Sequence, residues 1–333
     1  MKVCLYLELE SMMAVSGIGS AINHQRRALE LNGVPYTNDL KDVFDIIHLN
    51  VVGPRSLYLA KKMKGKGKKV VLHAHMTADD FRDSYRFSNS VAPYLKKYLT
   101  YYYNQADLIL CPSQYTKDVL LSYGVSKPMT VISNGVDIDQ FKESEEKREA
   151  FREENYLEGV VPLMVGHLFI RKGLETFVSL AKDMPDTKFL WIGRRYVQVE
   201  DPRVKRIIDE APKNIRFLID CVEDITAAYS GSDIFFFPSF CENQGIVLLE
   251  AGACHRPILV RDSATYDGWL TDGVNCLKAS TDAQFKEKLV LLSEDAALRK
   301  KIADNAYSMS REHSLQKIGA KLKGIYEELL KTG

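Results

Sequence analysis

Short apolar runs alternate with amphipathic stretches along almost the whole chain. In the first half, Val3–Leu7, Ile46–Leu49, Lys69–Leu72, Leu108–Cys111 and Met129–Ile132 are mostly apolar on both faces, the pattern of parallel strands covered by helices on either side. Between them, Ser20–Leu31, Pro54–Lys64, Val91–Asn104 and Gln114–Ser122 carry apolar residues at helical spacing. The second half repeats the alternation. Val160–Val165, Lys188–Ile192, Ile215–Leu218, Ile234–Phe237 and Pro257–Val260 read as strands, with helices starting near Gly173, Val204, Asp224, Gly245 and Thr281. Two successive βαβ series predict an α/β protein of two doubly wound domains, each with a mostly parallel sheet.

The charge-dense segment Glu143–Glu158 predicts a surface helix and a linker between the domains. Leu315, Ile318, Leu322, Ile325 and Leu329 predict a long amphipathic helix over Ser314–Leu330. The expected organisation is therefore an N-terminal domain over 1–150, a C-terminal domain over 151–313, and a final helix, about 314–333, packing back on the first. Ligands of open α/β sheets bind beyond the carboxyl ends of the strands, so two such domains facing each other predict an interdomain cleft.

A length of 333 residues fits two domains of ~100–200 residues each. With 46% hydrophobic and 27% charged residues, the chain is neither disordered nor fibrous. No window offers the ~18 uninterrupted apolar residues of a membrane span. The opening MKVCLYLELE reads as a first strand and not as a signal peptide. Six scattered cysteines (Cys4, Cys111, Cys221, Cys241, Cys254, Cys276) show no C-x-x-C and fit buried thiols in a reducing cytosol. Residues 1–143 hold 18 basic against 14 acidic side chains, and seven basic residues with no acidic one lie between Arg55 and Lys69. A basic patch on a chain of net charge +1 points to an anionic surface, not to nucleic acid gripped along its length.

Five segments carry candidate chemistry. Gly17-Ile18-Gly19 follows the first strand as a Gly-rich turn before a helix, where free N–H groups and the helix dipole suit a phosphate; Ile22 replaces the third glycine of a dinucleotide fingerprint. The strand ending at Leu72 runs into His73-Ala74-His75. Alternation puts both imidazoles on one face, with His75 better placed to hydrogen-bond a sugar hydroxyl, and no third metal ligand lies near. Arg171-Lys172-Gly173 sits between a strand and a helix, where adjacent cations can neutralise a diphosphate. The segment Phe236–Ala253 gives the strongest signal, a strand, a loop and an apolar helix that carry Glu242 and Glu250 eight positions apart. A carboxylate in an apolar helix needs partners, and a sugar or ribose diol supplies two O–H donors. Finally, Asp137-Ile138-Asp139 has the D-x-D form of a metal site, but turn chemistry after Asn134-Gly135 accounts for it.

In combination these motifs resemble the retaining GT-B glycosyltransferases of glycosyltransferase family 4. The likeness rests on Glu242 and Glu250, Gly166 with Arg171-Lys172-Gly173, Ser133-Asn134-Gly135-Val136-Asp137, the Gly17-Ile18-Gly19 loop and His75, in order along the chain. Ser133 stands where the family usually has proline, and Gln244 where it often has an aromatic residue. The N-terminal segments LYLELE, SGIGSAINHQ and HAHMTADDFRDS look like those of Gram-positive glycolipid synthases, whose products anchor lipoteichoic acid. They look most like the enzymes that add a second hexose, often galactose, to monoglucosyl-diacylglycerol.

The resemblance implies two Rossmann-like domains, the first facing acceptor and membrane and the second holding the nucleotide sugar. It implies that Glu250 holds the donor ribose and that Arg171 and Lys172 meet the diphosphate. Glu242 with Asn243, Gln244, Gly245 and Ile246 would hold the donor sugar, and Gly17, Ile18 and Gly19 would approach the phosphates. His75 would contact the donor sugar and stabilise charge near the anomeric carbon. The donor that the resemblance implies is a UDP-hexose, carrying galactose or glucose, and no metal or other cofactor is expected. Same-face attack assisted by the β-phosphate competes with double displacement, and the residues leave that choice open.

A lipid acceptor requires a membrane contact. Lys61, Lys62, Lys64, Lys66, Lys68 and Lys69 can sit over anionic headgroups at ~1 kcal/mol each, and Tyr94, Lys96, Lys97 and Tyr98 lie on an interfacial-type helix. The expectation is a cytoplasmic protein, peripheral at the inner face of the cell membrane. The same motifs would serve a soluble or polyprenyl-linked acceptor in polysaccharide synthesis. A nucleotide-sugar epimerase or a catalytically silent regulator could share the architecture.

Overall fold

The computed structural model describes residues 1–10, 17–220 and 224–331, so Ser16 and Cys221 lie outside it. The chain forms two compact units. The first comprises Met1–Asp80, Val91–Asp137 and His313–Gly333; the second comprises Phe81–Ser90 and Ile138–Glu312.

In the first unit six strands form one parallel sheet: β1 Val3–Tyr6, β2 Tyr36–Thr37, β3 Ile46–Leu49, β4 Lys69–His73, β5 Leu108–Cys111 and β6 Met129–Val131, in the order β2-β1-β3-β4-β5-β6. Alternate side chains feed a core on each face, which is why the runs are apolar throughout. Cys4, Ile47, Leu49, Val70 and Leu72 pack against Leu59 and Met63 of helix Pro54–Gly65 and Leu99 and Tyr102 of helix Ser88–Tyr103. Val3, Leu5, Ile46 and Val71 pack against Ile22 and Leu29 of helix Gly17–Leu31 and against Ile318, Leu322 and Tyr326 of helix Leu315–Lys331. These last two helices touch backbone to backbone, because a Cβ at Gly319 would overlap the Ala28 carbonyl. The ladder aligns Tyr6 with Leu49 and Leu49 with Leu72, so the carboxyl ends of β1, β3 and β4 finish together.

The second unit repeats the plan with β7 Pro162–Val165, β8 Phe189–Gly193, β9 Ile215–Ile219, β10 Ile234–Phe237, β11 Ile258–Arg261 and β12 Leu277–Ala279, parallel in the order β12-β11-β10-β7-β8-β9. The order reverses direction at β7, which lies between β10 and β8 and opens a crevice at their carboxyl ends. Phe177, Phe189, Trp191, Phe236 and Phe285 form one aromatic core under this sheet. Helix Glu145–Asn155 belongs here: Arg148 and Arg152 reach Asp233 at 2.6 and 3.0 Å and bond the carbonyls of residues 230–232.

Four features differ from the expected pattern. Gly17 and Gly19 lie inside the first helix and not in a turn before it. The two-residue β2 and three-residue β12 are too short to show periodicity. Helix Ala296–Glu312 went unread because its hydrophobic stripe is narrow. It packs on helix Ile246–Ala253, with Gly252 against Ala306 and Ser310.

Candidate active site

The 3₁₀ turn Ile170–Lys172 follows β7 and ends at Gly173, in the left-handed region at φ 80°. A Cβ there would also run into the Pro238 carbonyl, so glycine is needed for the turn to lie against the β10 end. That contact brings Arg171 and Lys172 onto the loop after β10. Lys172 Nζ donates to Glu242 Oε1, and Arg171 Nη1 stands 3.6 Å from the same oxygen. Ser239 Oγ donates to Oε1 at 2.6 Å, and Thr265 Oγ1 fixes the Glu242 carbonyl at 3.0 Å. Burial alone would raise the Glu242 carboxyl, but Lys172 and Arg171 outweigh it and hold the pKa below the usual value. His167, just after β7, is driven down to about 3 by burial and by the repulsion of Lys172 and Arg171, so it is neutral.

Arg171 is held from a distant part of the sequence. Ser84, in the Phe81–Ser90 segment, accepts from Arg171 Nε at 2.7 Å, and the Cys241 carbonyl accepts from Nη1 at 2.9 Å. The segment is anchored by Arg203 to Asp83 at 2.8 Å, by Arg171 N to the Asp83 carbonyl, and by Arg86 N to the Val199 carbonyl. Asp83 and Phe87 adopt left-handed φ of 50° and 65°, strain that this anchoring sustains.

Asn243 and Gln244 are buried, and left-handed Gly245 caps helix Ile246–Ala253. Glu250 lies inside that helix, buried, and accepts from the Tyr229 hydroxyl at 2.8 Å. With one neutral donor against full desolvation, its pKa rises to about 7. The two glutamates thus differ: Glu242 is ionised between cations, while Glu250 is half-titrated near neutrality.

In the first unit, His75 follows the end of β4 with its ring stacked on His73 at 4.0 Å, and its Nε2 lies 3.0 Å from Asn50 Oδ1. Burial lowers its pKa to about 3, so the imidazole is neutral. Gly17 is exposed, Ile18 half-buried and Gly19 buried along the first helical turn. The turn at Asn134-Gly135 has a structural role, since Val136 bridges to Ser314 and Gly135 leaves room for Leu315.

Lys61, Lys62, Lys64 and Lys66 are exposed, as are Tyr94, Lys96 and Lys97; Lys68, Lys69 and Tyr98 are half-buried. Lys61 and Lys62 lie over the exposed rings of Tyr101 and Tyr58. No helix among the described residues is long and apolar enough to cross a membrane.

The structure thus brings Arg171, Lys172 and Glu242 into contact and seats Glu250 separately on Tyr229. Sequence reasoning missed Ser84, Ser239, Tyr229, Asn50 and Gln25. Only Ser239 had a local signal, three residues before Glu242.

Two parallel doubly wound sheets, with a cation pair and a buried carboxylate at the strand-order switch of the second, define the GT-B class of glycosyltransferases. The chain belongs to that class by sequence as well: residues 35–140 match the family model Glycosyltransferase Family 4, and residues 143–309 match Glycosyl transferases group 1. It is 37% identical to the processive diacylglycerol alpha-glucosyltransferase of Acholeplasma laidlawii, across 99% of both chains. To the alpha-galactosylglucosyldiacylglycerol synthase of Streptococcus pneumoniae it is 24% identical, over 84% of this chain and 76% of that one. The expected nearness to the galactosyl-glucosyl type is corrected by that difference. The segments behind the expectation cover β1, the start of helix Gly17–Leu31 and the stretch after β4, where packing on the first sheet constrains the residues. In fold the chain resembles Anabaena HepE, crystallised with UDP and glucose (TM-score 0.80, 17% identity, 98% of this chain and 100% of that one). It also resembles sucrose-phosphate synthase of Thermosynechococcus elongatus (TM-score 0.83, 14% identity, 100% of each).

Proposed function

We propose that this chain transfers glucose from UDP-glucose to a diacylglycerol-based acceptor at a membrane surface, with retention of anomeric configuration and without a metal. The observation that carries the reading is the Arg171–Lys172 pair, fixed at the crevice of the second sheet by Gly173, Ser84 and Glu242. Charge builds on the departing diphosphate as the glycosidic bond breaks, so preorganised cations that need no rearrangement stabilise the transition state more than the ground state. Glu250 suits the ribose, because a diol adds two O–H donors to a carboxylate whose one partner among the described residues is the Tyr229 hydroxyl. In the first unit His75 hydrogen-bonds a sugar hydroxyl as a neutral imidazole.

The name of the 37% identical relative supports the glucosyl donor and the diacylglycerol acceptor. Four exposed lysines, two of them over the exposed rings of Tyr58 and Tyr101, support a peripheral membrane contact. The test is incubation with UDP-glucose or UDP-galactose and vesicles containing diacylglycerol or monoglucosyl-diacylglycerol, with mass analysis and NMR of the anomeric proton. An α-glucosyl lipid is the expected product. A galactosyl product, a β-linkage, or transfer only to soluble or polyprenyl acceptors would overturn it.

A further inference from the structure

Glu8 is the one aspartate, glutamate, lysine or arginine buried among the described residues of the first unit, and the reading above gives it no part. It stands two residues beyond the end of β1, and Leu9 then turns the chain with a left-handed φ of 57°. Its carboxylate lies on the N-terminus of helix Pro54–Gly65, which has neither a side-chain cap at Gly53 nor an acidic residue in its first turn. Oε2 accepts from Ser56 N and from Ser56 Oγ, both at 2.7 Å, while Oε1 has a longer contact of 3.3 Å with Arg55 N. Gly53 leaves the space for this, because a Cβ there would overlap the carboxyl group and push it off the helix. A helix N-terminus attracts anions, so a buried carboxylate from another strand fills the position that a phosphate would take.

The carboxyl ends of β1, β3 and β4 lie side by side, so Glu8 stands two strand spacings, ~10 Å, from the β4 end that leads into His75. The same end of the sheet buries uncharged polar groups. Gln25 Nε2 donates to Asn50 Oδ1 at 2.9 Å and lies 3.0 Å from His73 Nδ1. Gln25 Oε1, Asn50 Nδ2 and His73 Nε2 are buried with no hydrogen-bond partner. Turning both amides over exchanges donor for acceptor and still leaves one polar atom of each open. Burial lowers the His73 pKa well below its usual value, so that ring is neutral. A hydroxyl both donates and accepts, so the hydroxyls of a polyol suit an open N–H and an open C=O in one place, and Glu8 Oε1 can accept one O–H more. A phosphate brought to this end of the sheet would instead meet the Glu8 charge at close range, where burial weakens screening. Arg55 is exposed, with its guanidinium over the Tyr6 ring at 5.7 Å, and water screens its charge.

We propose that Glu8, seated on this helix end, makes the first unit select an acceptor with an uncharged polyol head and turn away one whose hydroxyls sit behind a phosphate. The inference rests on the reading of the acceptor as a lipid head, and its test separates the two. The full chain is first saturated with UDP, so that a phosphate probe does not simply meet Arg171 and Lys172. Glycerol 3-phosphate, followed by calorimetry, should then bind Glu8→Ser on the order of 10-fold more tightly than the unmodified chain. Glu8→Gln keeps an acceptor for the Ser56 N–H without the charge; it should move in the same direction, and it decides the matter if serine unfolds the helix. In the transfer assay diacylglycerol, monoglucosyl-diacylglycerol and phosphatidylglycerol are offered separately, in vesicles held at one anionic content with phosphatidylserine. The unmodified chain should favour the uncharged heads over phosphatidylglycerol on the order of 10²-fold in kcat/KM, and Glu8→Ser or Glu8→Gln should narrow that ratio on the order of 10-fold. Glycerol 3-phosphate binding the unmodified chain as tightly as both variants, or phosphatidylglycerol glucosylated as readily as the uncharged lipids, would overturn the proposal. Transfer to a soluble sugar and to none of the three lipids would overturn the reading of the acceptor, and the calorimetry would still decide for or against Glu8.

Discussion

Replacing Glu250 by glutamine should stabilise the second unit at alkaline pH and do little under acid conditions. The folded state holds this carboxyl at about 7 against an ordinary value of 4.5, because burial disfavours its charge and only the Tyr229 hydroxyl opposes that. Below pH 4.5 the group is protonated in both folded and unfolded chains. Between 4.5 and 7 the unfolded chain loses the proton first, so stability falls as pH rises; above 7 the loss is complete. A difference of two to three pKa units corresponds to about 3 kcal/mol. Glutamine keeps the shape and still accepts from Tyr229 but never ionises. The variant should therefore exceed the parent by about 3 kcal/mol at pH 8 and by under about 1 kcal/mol at pH 5. Both tryptophans, Trp191 and Trp269, lie in the second unit, so urea unfolding followed by tryptophan fluorescence reads that unit alone. An equal difference at the two pH values would refute the reasoning.

Nucleotide binding bears on the same carboxyl. If the ribose diol engages Glu250, UDP binding near pH 6 should release a proton, seen as a calorimetric heat that changes with the ionisation enthalpy of the buffer. Arg171→Ala and Lys172→Ala should each reduce turnover on the order of 10²-fold, about 3 kcal/mol of transition-state stabilisation; normal turnover in both would refute the role assigned to the pair. Changing Lys61, Lys62, Lys64 and Lys66 to glutamine should weaken vesicle binding by about 4 kcal/mol, and sedimentation with and without anionic lipid would expose a patch that plays no part.

Much of the architecture was legible because its cause is local. Ile234–Phe237 and Leu108–Cys111 are strands with the boundaries that four consecutive apolar residues predict, since a strand covered on both faces has no polar alternative. The placement of Arg171, Lys172 and Glu242 was legible for a similar reason: strand, loop and helix follow each other within a few residues. What could not be read were partnerships between distant positions. Nothing near Ser84 announces a bond to Arg171 87 residues on, and nothing near Tyr229 announces Glu250. The start of the first helix was misread because glycine signals a turn by its intrinsic preference, and here the packing of Ala21, Ile22 and His24 prevails over that preference.

The ownership of Phe81–Ser90 by the second unit, and of Leu315–Lys331 by the first, means that neither half of this sequence is a self-sufficient piece. A fragment begun at Ile138 would carry Arg171 without Ser84 and Asp83, and would be expected to look folded yet hold its guanidinium loosely. During synthesis the early strap must wait for its platform, and one face of the first sheet is only partly covered, by helix Gly17–Leu31, until helix Leu315–Lys331 leaves the ribosome. Truncation studies should therefore cut around these exchanged segments, or fuse them back.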